Sequence, residues 1–541
     1  MADVLMVGAG PVGLTMAAEL ARHGQRCRLI DRLAQPSPYC RAIGVTPRTL
    51  EVWDDMGIAR EMIGAGLWIR GLRSVLQGRP PMDVTVDGSS LSYGPLGLPQ
   101  YETERVLTRH LARSGISIER GVTLSRLSQD ADGVSVSLTH ADGSVEAAGF
   151  RHVIGCDGAH STVRRALGIG FEGEAMPMTF MLGDVRIGWD LPYGMTFRAL
   201  HMNEAAPPDI FVAVPLPEHG RYRITMVAPP SLAPAGGTAH GIQGETAGPG
   251  LHHLQAVADA LLPEPPVLSD LRWSSIFRIS MRLATRYRQG RVFIAGDAAH
   301  IHPPTGGQGM NTGIQDAYNL AWKLALVLDG VAPESLLDSY EAERRPVGAD
   351  VIARTVAASM NFGREEGGKP DRSADTQLGI SYRNGDWVRD DGPAGQGGVA
   401  GDRAPDAGGL RQEGIGFPLR LHEVLRGPAH VLLAWMPGME KGAGEAELRA
   451  LSDFALALGP SLGERLRLVA LTDAAAGQQP AIGILHDAEG GFAKAYGPAE
   501  RALLVRPDGH LGWTGPSWRA PGLAAHLQRL FPDASLTVVS P

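Results

Sequence analysis

Three short turns carry residue types suited to holding a large polar ligand. The first is Gly8-Ala9-Gly10-Pro11-Val12-Gly13. An apolar strand over 4–7 runs into it and a helix over 14–23 leaves it. Glycines at this spacing permit a tight turn and close approach to a pyrophosphate, and the helix N-terminus faces that charge. A second strand, 27–30, ends in Asp31-Arg32. The acid falls about 20 residues beyond the glycines, where a dinucleotide fold needs a partner for a ribose hydroxyl. Asp31 would repel a 2′-phosphate, which argues against NADP in this particular groove.

The second turn, Cys156-Asp157-Gly158-Ala159-His160-Ser161, lies between a strand over 152–155 and a basic helix start over 163–167. Alone it reads as an ordinary turn, because Asp-Gly is common there. The third stretch, 291–323, is the longest. A strand over 291–295 ends in the acidic turn Gly296-Asp297, and a loop rich in Pro and Gly follows. A helix opening near Met310 carries Ile314, Ala317, Ala321, Leu324, Ala325 and Leu328 at the helical period. Pro303 and Pro304 fix the backbone, and Gly306, Gly307 and Gly309 let it come close to a ligand. The N–H groups of Asn311 and its neighbours favour negative charge in front of them. His300 and His302 form an HxH pair, but no carboxylate or cysteine cluster accompanies it, so no metal is expected.

The elements that must position these turns suit a chain of 541 residues with room for two to four domains. The net charge of −8 and the absence of a basic stripe exclude nucleic acid as a partner. No apolar run reaches membrane-span length, no polybasic helix addresses a membrane surface, and the strand over 2–7 leaves no room for a secretory signal. Cys27, Cys40 and Cys156 are the only cysteines and form no CxxC, which fits a reducing, cytoplasmic setting and small buried side chains. Thr46 reads as an N-cap with Pro47 at the first helical position. Arg41 and Arg48 flank that start as candidate ligands or solvated arginines. Further helices are expected over 104–113, 252–262, 336–345 and 348–360, and strands over 117–124, 134–139 and 144–150. Strand-like alternation over 180–227 includes Phe197, Phe211, Tyr222 and Met226, either an aromatic pocket or ordinary core. The Pro/Gly/Ala stretch over 229–250 reads as a mobile loop, and 376–400 as a linker to a separate domain.

Together the GAGPVG, CDGAHS and AGDAAHIHPPTGGQGMN stretches, in this order and separation, resemble the FAD-dependent aromatic hydroxylases related to p-hydroxybenzoate hydroxylase and phenol hydroxylase. The resemblance covers roughly residues 2–360. It implies an α/β fold: a Rossmann-type FAD-binding domain (1–72, 100–180 and 280–375) interleaved with a β-sheet substrate domain (73–99 and 181–279). The part over 401–541 is similar to the thioredoxin-like appendage of the phenol hydroxylase branch. Trp435-Met436-Pro437-Gly438-Met439 stands where a redox CxxC would be, so dithiol chemistry is excluded. Packing, or an interface in a homodimer, is the expected role.

By the same resemblance Gly8, Gly10, Pro11, Val12 and Gly13 would lie under the FAD pyrophosphate. Asp31 would bind the adenosine ribose, with Arg32 near the adenine end and Leu124 against the adenine. Arg41 and Gln100 would contact flavin or pyrophosphate, and Asp157 and Gly158 would serve FAD and the passing nicotinamide. Gly296 and Asp297 would meet the ribitol, and Pro304, Gly307, Gly309, Met310 and Asn311 the isoalloxazine edge. The implied reaction takes NADPH or NADH as transient reductant, dioxygen, and a small phenolic or polycyclic aromatic substrate, through a C4a-hydroperoxyflavin. No catalytic residue is assigned. Baeyer–Villiger insertion or N-hydroxylation of a natural product or antibiotic stands as the alternative, and a non-catalytic flavin-binding regulator as a second. Replacing Asp297 by Ala is expected to lower the flavin-to-protein ratio of the purified protein. Unchanged flavin occupancy would remove Asp297 from the ribitol site.

Overall fold

The computed structural model describes residues 2–40, 42–88, 91–201, 209–232, 241–242, 248–360, 373–392, 397–438 and 443–534. Arg41 and most of the 229–250 loop lie outside them. The first apolar run forms β1, Val4–Val7, buried at every position. A strand apolar on both faces belongs inside a parallel sheet. β1 sits between β2 (Cys27–Asp31) and β3 (His152–Gly155) and is parallel to both. β6 (Val292–Ile294) continues the sheet beyond β3. Helix α1, Pro11–Arg22, opens at its proline rather than at 14, with Gly10 at the N-cap. Thr46 caps α2, Pro47–Asp55, accepting from the Thr49 N–H as its sequence position predicts. The expected strand over 117–124 divides into Ile118–Arg120 and Thr123–Gln129, because Gly121 turns the chain with a φ of 72°.

A second, nine-stranded sheet is built on β4 (Phe171–Ile187) and β5 (Leu268–Ala284), antiparallel and 17 residues each. The expected domain borders at 180 and 280 fall inside these two strands, so the two units share continuous β-structure. The ladder slips between Ala175 and Thr179, where the chain passes from one unit to the other. Helix Leu251–Leu261 packs on one face of this sheet.

Helix α3, Gln308–Leu328, is buried along most of its length. Helix α4, Asp338–Met360, replaces the two helices expected over 336–345 and 348–360, and Pro346 lies inside it. Tertiary packing outweighs the lost backbone hydrogen bond. Arg344 and Val351 are fully buried on either side of the proline, and a Cβ on Gly348 would come within 2.4 Å of the Tyr287 hydroxyl.

The C-terminal part is a seven-stranded sheet around β7, His430–Met436, with helices Ala443–Leu462 and Pro521–Leu530. The segment expected to be a linker is packed. Gln377 and Tyr382 are buried, and Arg389–Asp390 pairs with the strand Leu511–Gly515. Composition marked this segment as loop-like, but backbone pairing and burial decide its role.

Buried charges join the C-terminal part to α3 and α4. Arg506 donates to both Glu343 carboxylate oxygens at 2.7 and 2.8 Å. Lys323 Nζ donates to Glu343 at 2.7 Å, and Trp322 Nε1 to Asp508 at 3.2 Å. Arg48 is not solvated: it is buried, donating to the Asp508 carbonyl at 2.6 Å and to Glu51 at 3.0 Å. Glu51 also receives Arg403 at 2.6 and 2.7 Å. Such groups tolerate burial only while fully paired.

Burial pushes the Glu343 carboxyl up, but Arg506 and Lys323 outweigh it and hold it at about 2, against an ordinary 4.5. Its stabilising contribution is therefore present above about 4.5 and is lost as the pH falls toward about 2. Glu343→Gln leaves the buried Lys323 without a carboxylate partner and Arg506 with Asp508 alone, so a loss of about 3–5 kcal/mol is expected near neutral pH. The variant should also lose part of the acid dependence. Denaturant unfolding across pH checks both.

Candidate functional site

The three turns converge. Gly8 leaves β1 with φ of 104°, and a Cβ there would lie 2.4 Å from the Cys156 carbonyl oxygen and 2.9 Å from the Asp157 Cα. The first and second turns are thus pressed backbone to backbone. A Cβ on Gly13 would meet the Gly8 carbonyl at 1.9 Å. Gly296 and Gly313 both crowd Val12, at 2.8 and 2.6 Å from an added Cβ to its Cγ2, which brings the acidic turn and α3 onto the start of α1. Gly313 belongs to this contact and was missed from the sequence, where a helical glycine looks like a weak helix former.

Gly10 differs. Its backbone is extended, and nothing lies within 4 Å of an added Cβ. The protein itself does not require glycine there, whereas a pyrophosphate drawn against the turn does. Gly158, with φ of 77°, is equally open. Asp157 caps the helix Thr162–Ala166, its Oδ2 accepting from Thr162 and Val163 at 2.6 and 3.2 Å. Its Oδ1 is buried with no protein partner, and burial holds this carboxyl above its ordinary range. An open glycine beside a buried acceptor fits a ligand carrying phosphates and hydroxyl donors.

Asp31 accepts from the Ala9 N–H at 2.7 Å and the Leu33 N–H at 2.7 Å. Each oxygen keeps a further lone pair, so bracing the glycine turn leaves this carboxylate able to accept from a diol. Arg32 is exposed. Leu124 is a core residue opposite Leu138, so its side chain offers no surface to an adenine. Gln100 is engaged on both sides, accepting from the Ala42 N–H at 3.2 Å and donating to Glu104 at 2.8 Å. It fixes the residue after Arg41.

At the third stretch α3 opens at Gln308, with Gly307 at the N-cap in the left-handed region. The N–H groups outside the helical ladder are therefore those of Gln308, Gly309 and Met310, two residues earlier than the sequence suggested. The fully buried Asn311 side chain clamps the loop: it donates to the Gly44 and Gly307 carbonyls at 2.8 and 2.6 Å and accepts from the Thr46 N–H at 3.0 Å. Gly296 and Asp297 form a helical turn with Asp297 exposed, and Pro304 is exposed beside the glycines.

Beneath the cradle lies a network that no local motif announces. Asp316 Oδ2 accepts from the Gly296 N–H at 3.1 Å and meets His300 Nε2 at 2.7 Å, while Oδ1 accepts from Arg344 Nε at 2.8 Å. All three side chains are within 1% of full burial. Burial pushes the Asp316 carboxyl up, but His300 and Arg344 outweigh it and hold it below its ordinary range. His300 is thus committed to Asp316. His302 bonds its Nδ1 to the Pro303 carbonyl at 2.8 Å, and burial lowers it to about 4. Among the described residues no group of three or more His, Cys, Asp or Glu could hold a metal.

The nine-stranded sheet presents two different faces. Phe197, Phe211, Tyr222 and Met226 share the face packed on helix Leu251–Leu261, with Trp189 among them at 4.6 Å from Phe197. They are core. Strand alternation puts Phe180, Val214, Arg223, Thr225, Trp273 and Phe277 on the other face. There Cys40 and Ile43, flanking the Arg41 position, pack with Val214 and Trp273, and Tyr39 meets Trp273 edge-on at 5.6 Å. Phe180 and Phe277 stand 5.6 Å apart. These aromatics share a face on strands the sequence had identified but whose facing it left open.

Residues 1–355 match the family described as FAD binding domain, and 398–534 match aromatic-ring hydroxylase, C-terminal. The chain belongs to the FAD-dependent aromatic-ring hydroxylases. A flavin-dependent monooxygenase of Mycobacteroides abscessus is 36% identical over 80% of this hydroxylase and 88% of its own length. The pentachlorophenol 4-monooxygenase of Sphingobium chlorophenolicum is 35% identical over 82% of each chain. The crystal structure of aklavinone-11 hydroxylase with FAD and aklavinone superposes with a TM-score of 0.77 at 27% identity, over 98% of this hydroxylase and 99% of that chain. FAD is therefore the cofactor, and the protein is a flavin monooxygenase. The open space at Gly10 gives a sharp test in this enzyme. Gly10→Ala should leave the apo protein's thermal midpoint unchanged and weaken FAD binding at least about tenfold. Gly13→Ala, which meets backbone, should destabilise the fold itself.

Proposed function

We propose that the hydroxylase inserts one oxygen from dioxygen into a phenolic ring, alone or within a polycycle, with NADPH or NADH as a transient reductant. The carrying observation is the pocket-side face, where Phe180, Phe277 and Trp273 lie on the sheet strands and Tyr39 and Cys40 come from the Arg41 loop. The substrates named for the two relatives, pentachlorophenol and aklavinone, span one ring and several, and support this class. Bound FAD would supply hydride acceptance and oxygen activation.

The chain's own groups bind, orient and exclude water. Asp31 and the Gly8–Gly13 turn would hold the adenosine and pyrophosphate, Asp157 and Gly158 the groups between, and Asp297 the ribitol. The N–H groups of Gln308, Gly309 and Met310 point charge-stabilising dipoles at the place where negative charge develops on reduction. His302, lowered by burial to about 4 and with Nε2 next to Gly309, is neutral at neutral pH, so this stabilisation would come from the N–H groups and not from an imidazolium. The C-terminal part, which we read as thioredoxin-like, has no cysteine and serves packing. No described helix is long and apolar enough to cross a membrane, and we read the enzyme as cytoplasmic.

The test is oxidation of NADH and NADPH with simple phenols and polycyclic polyketide phenols, followed by mass spectrometry. A product heavier by one oxygen is expected. Reductant consumption with no phenol-dependent stimulation across the panel would overturn the substrate class.

A further inference from the structure

The sequence treats residues 376–400 as a connector, yet its beginning lies on the flavin cradle. Gln377 has φ of 58° and is the only buried one of the three described non-glycine residues with positive φ. A strained backbone persists where surrounding contacts over-determine it. Those contacts are specific here. The Gln377 amide donates through Nε2 to Thr312 Oγ1 at 3.0 Å. Its Oε1 accepts from Gln315 Nε2 at 2.6 Å and from Thr46 Oγ1 at 3.4 Å. Thr312 and Gln315 belong to the first turns of α3, and Thr46 is the N-cap of α2. One amide thus ties together two helix starts that border the flavin loop.

Neighbouring residues extend the contact. Gln308, the first residue of α3, donates to the Asp375 carbonyl at 3.1 Å, and a Cβ on Gly306 would lie 3.2 Å from Asp375 Oδ1. Tyr382 accepts from Arg344 at 2.9 Å, and Arg344 in turn holds Asp316 and the Thr312 carbonyl. The C-terminal part anchors this segment. The Tyr382 N–H donates to the Gly401 carbonyl at 2.8 Å, and its ring lies 4.3 Å from that of His510 and 5.3 Å from the Arg506 guanidinium.

We propose that Gln377 is a positioning residue for the flavin, holding the first turns of α3 at the angle that aims their N–H groups at the cofactor, with the C-terminal part anchoring it. Gln377 touches no reacting atom and acts through Thr312, Gln315 and Thr46. The proposal rests on the flavin reading of the cradle and goes beyond it, since it gives the C-terminal part a task in cofactor electrostatics.

The test uses the full chain. Gln377→Gly removes the amide while relieving the left-handed backbone; the two effects offset each other in part, so the apo protein should stay folded with a modestly lowered thermal midpoint. FAD affinity, measured by titration of the apo protein, should fall about tenfold, as expected for losing hydrogen bonds of ordinary strength. The reduction potential of bound flavin should become more negative, because the helix dipole is less well aimed; simple loosening of the fold would not single out the reduced form. Gln377→Asn keeps an amide and tolerates the left-handed region but is one methylene short. It should move both quantities in the same direction by less, and it decides the matter if the glycine variant fails to fold. Wild-type affinity and potential in a folded variant would overturn the proposal. Failure of the unaltered chain to bind FAD would instead sink the flavin reading itself.

Discussion

One buried carboxylate governs the geometry of the site. Asp316 receives the Gly296 N–H, His300 and Arg344 with almost no contact to water. An isolated charge at that depth is prohibitive, and here its oxygens are occupied by charge-assisted donors. The consequence is rigidity: the acidic turn cannot drift from α3, and α3 cannot drift from α4. The glycines add to this by forbidding slack. Gly8, Gly13, Gly296 and Gly313 each sit where a methyl group would strike backbone or Val12. A cofactor held by such a cradle meets donors that need no reorganisation when its charge changes, which is how preorganised dipoles are most effective.

The same helices make the C-terminal part inseparable from the site. Glu343 pairs with Lys323 of α3 on one side and Arg506 on the other, one residue before the arginine that holds Asp316. Adjacent residues of α4 therefore face two networks, one under the flavin loop and one at the junction. A part without a redox cysteine pair can still matter to flavin chemistry through this packing, because densely packed buried contacts transmit displacement instead of absorbing it.

Much of the chain was legible before any coordinates. β1, the Thr46 cap and the strands over 134–139 and 144–150 follow from local rules: period and turn chemistry. Misreadings came where long-range contacts override local preference. Pro346 suggested a break that the packing around Arg344 and Gly348 removes. Arg48 looked solvated because its partner, the Asp508 carbonyl, lies far along the chain. The Asn311 side chain clamps Gly44 and Thr46, a task its sequence position does not announce. Phe197, Phe211, Tyr222 and Met226 alternate correctly, but period two yields two faces and does not say which one packs on helix Leu251–Leu261.

What the sequence by itself determined is the cofactor: three turns of unusual residue type, each beside a helix start, in an order and separation that suit a dinucleotide. What only the tertiary structure decided is how those turns are held and which strand residues share a face. Ligand chemistry constrains residues locally, so it can be read from a linear string. Support and facing depend on pairings such as Asp316 with Arg344, Gln377 with Thr312, and Phe180 with Phe277, which exist only after distant segments have met.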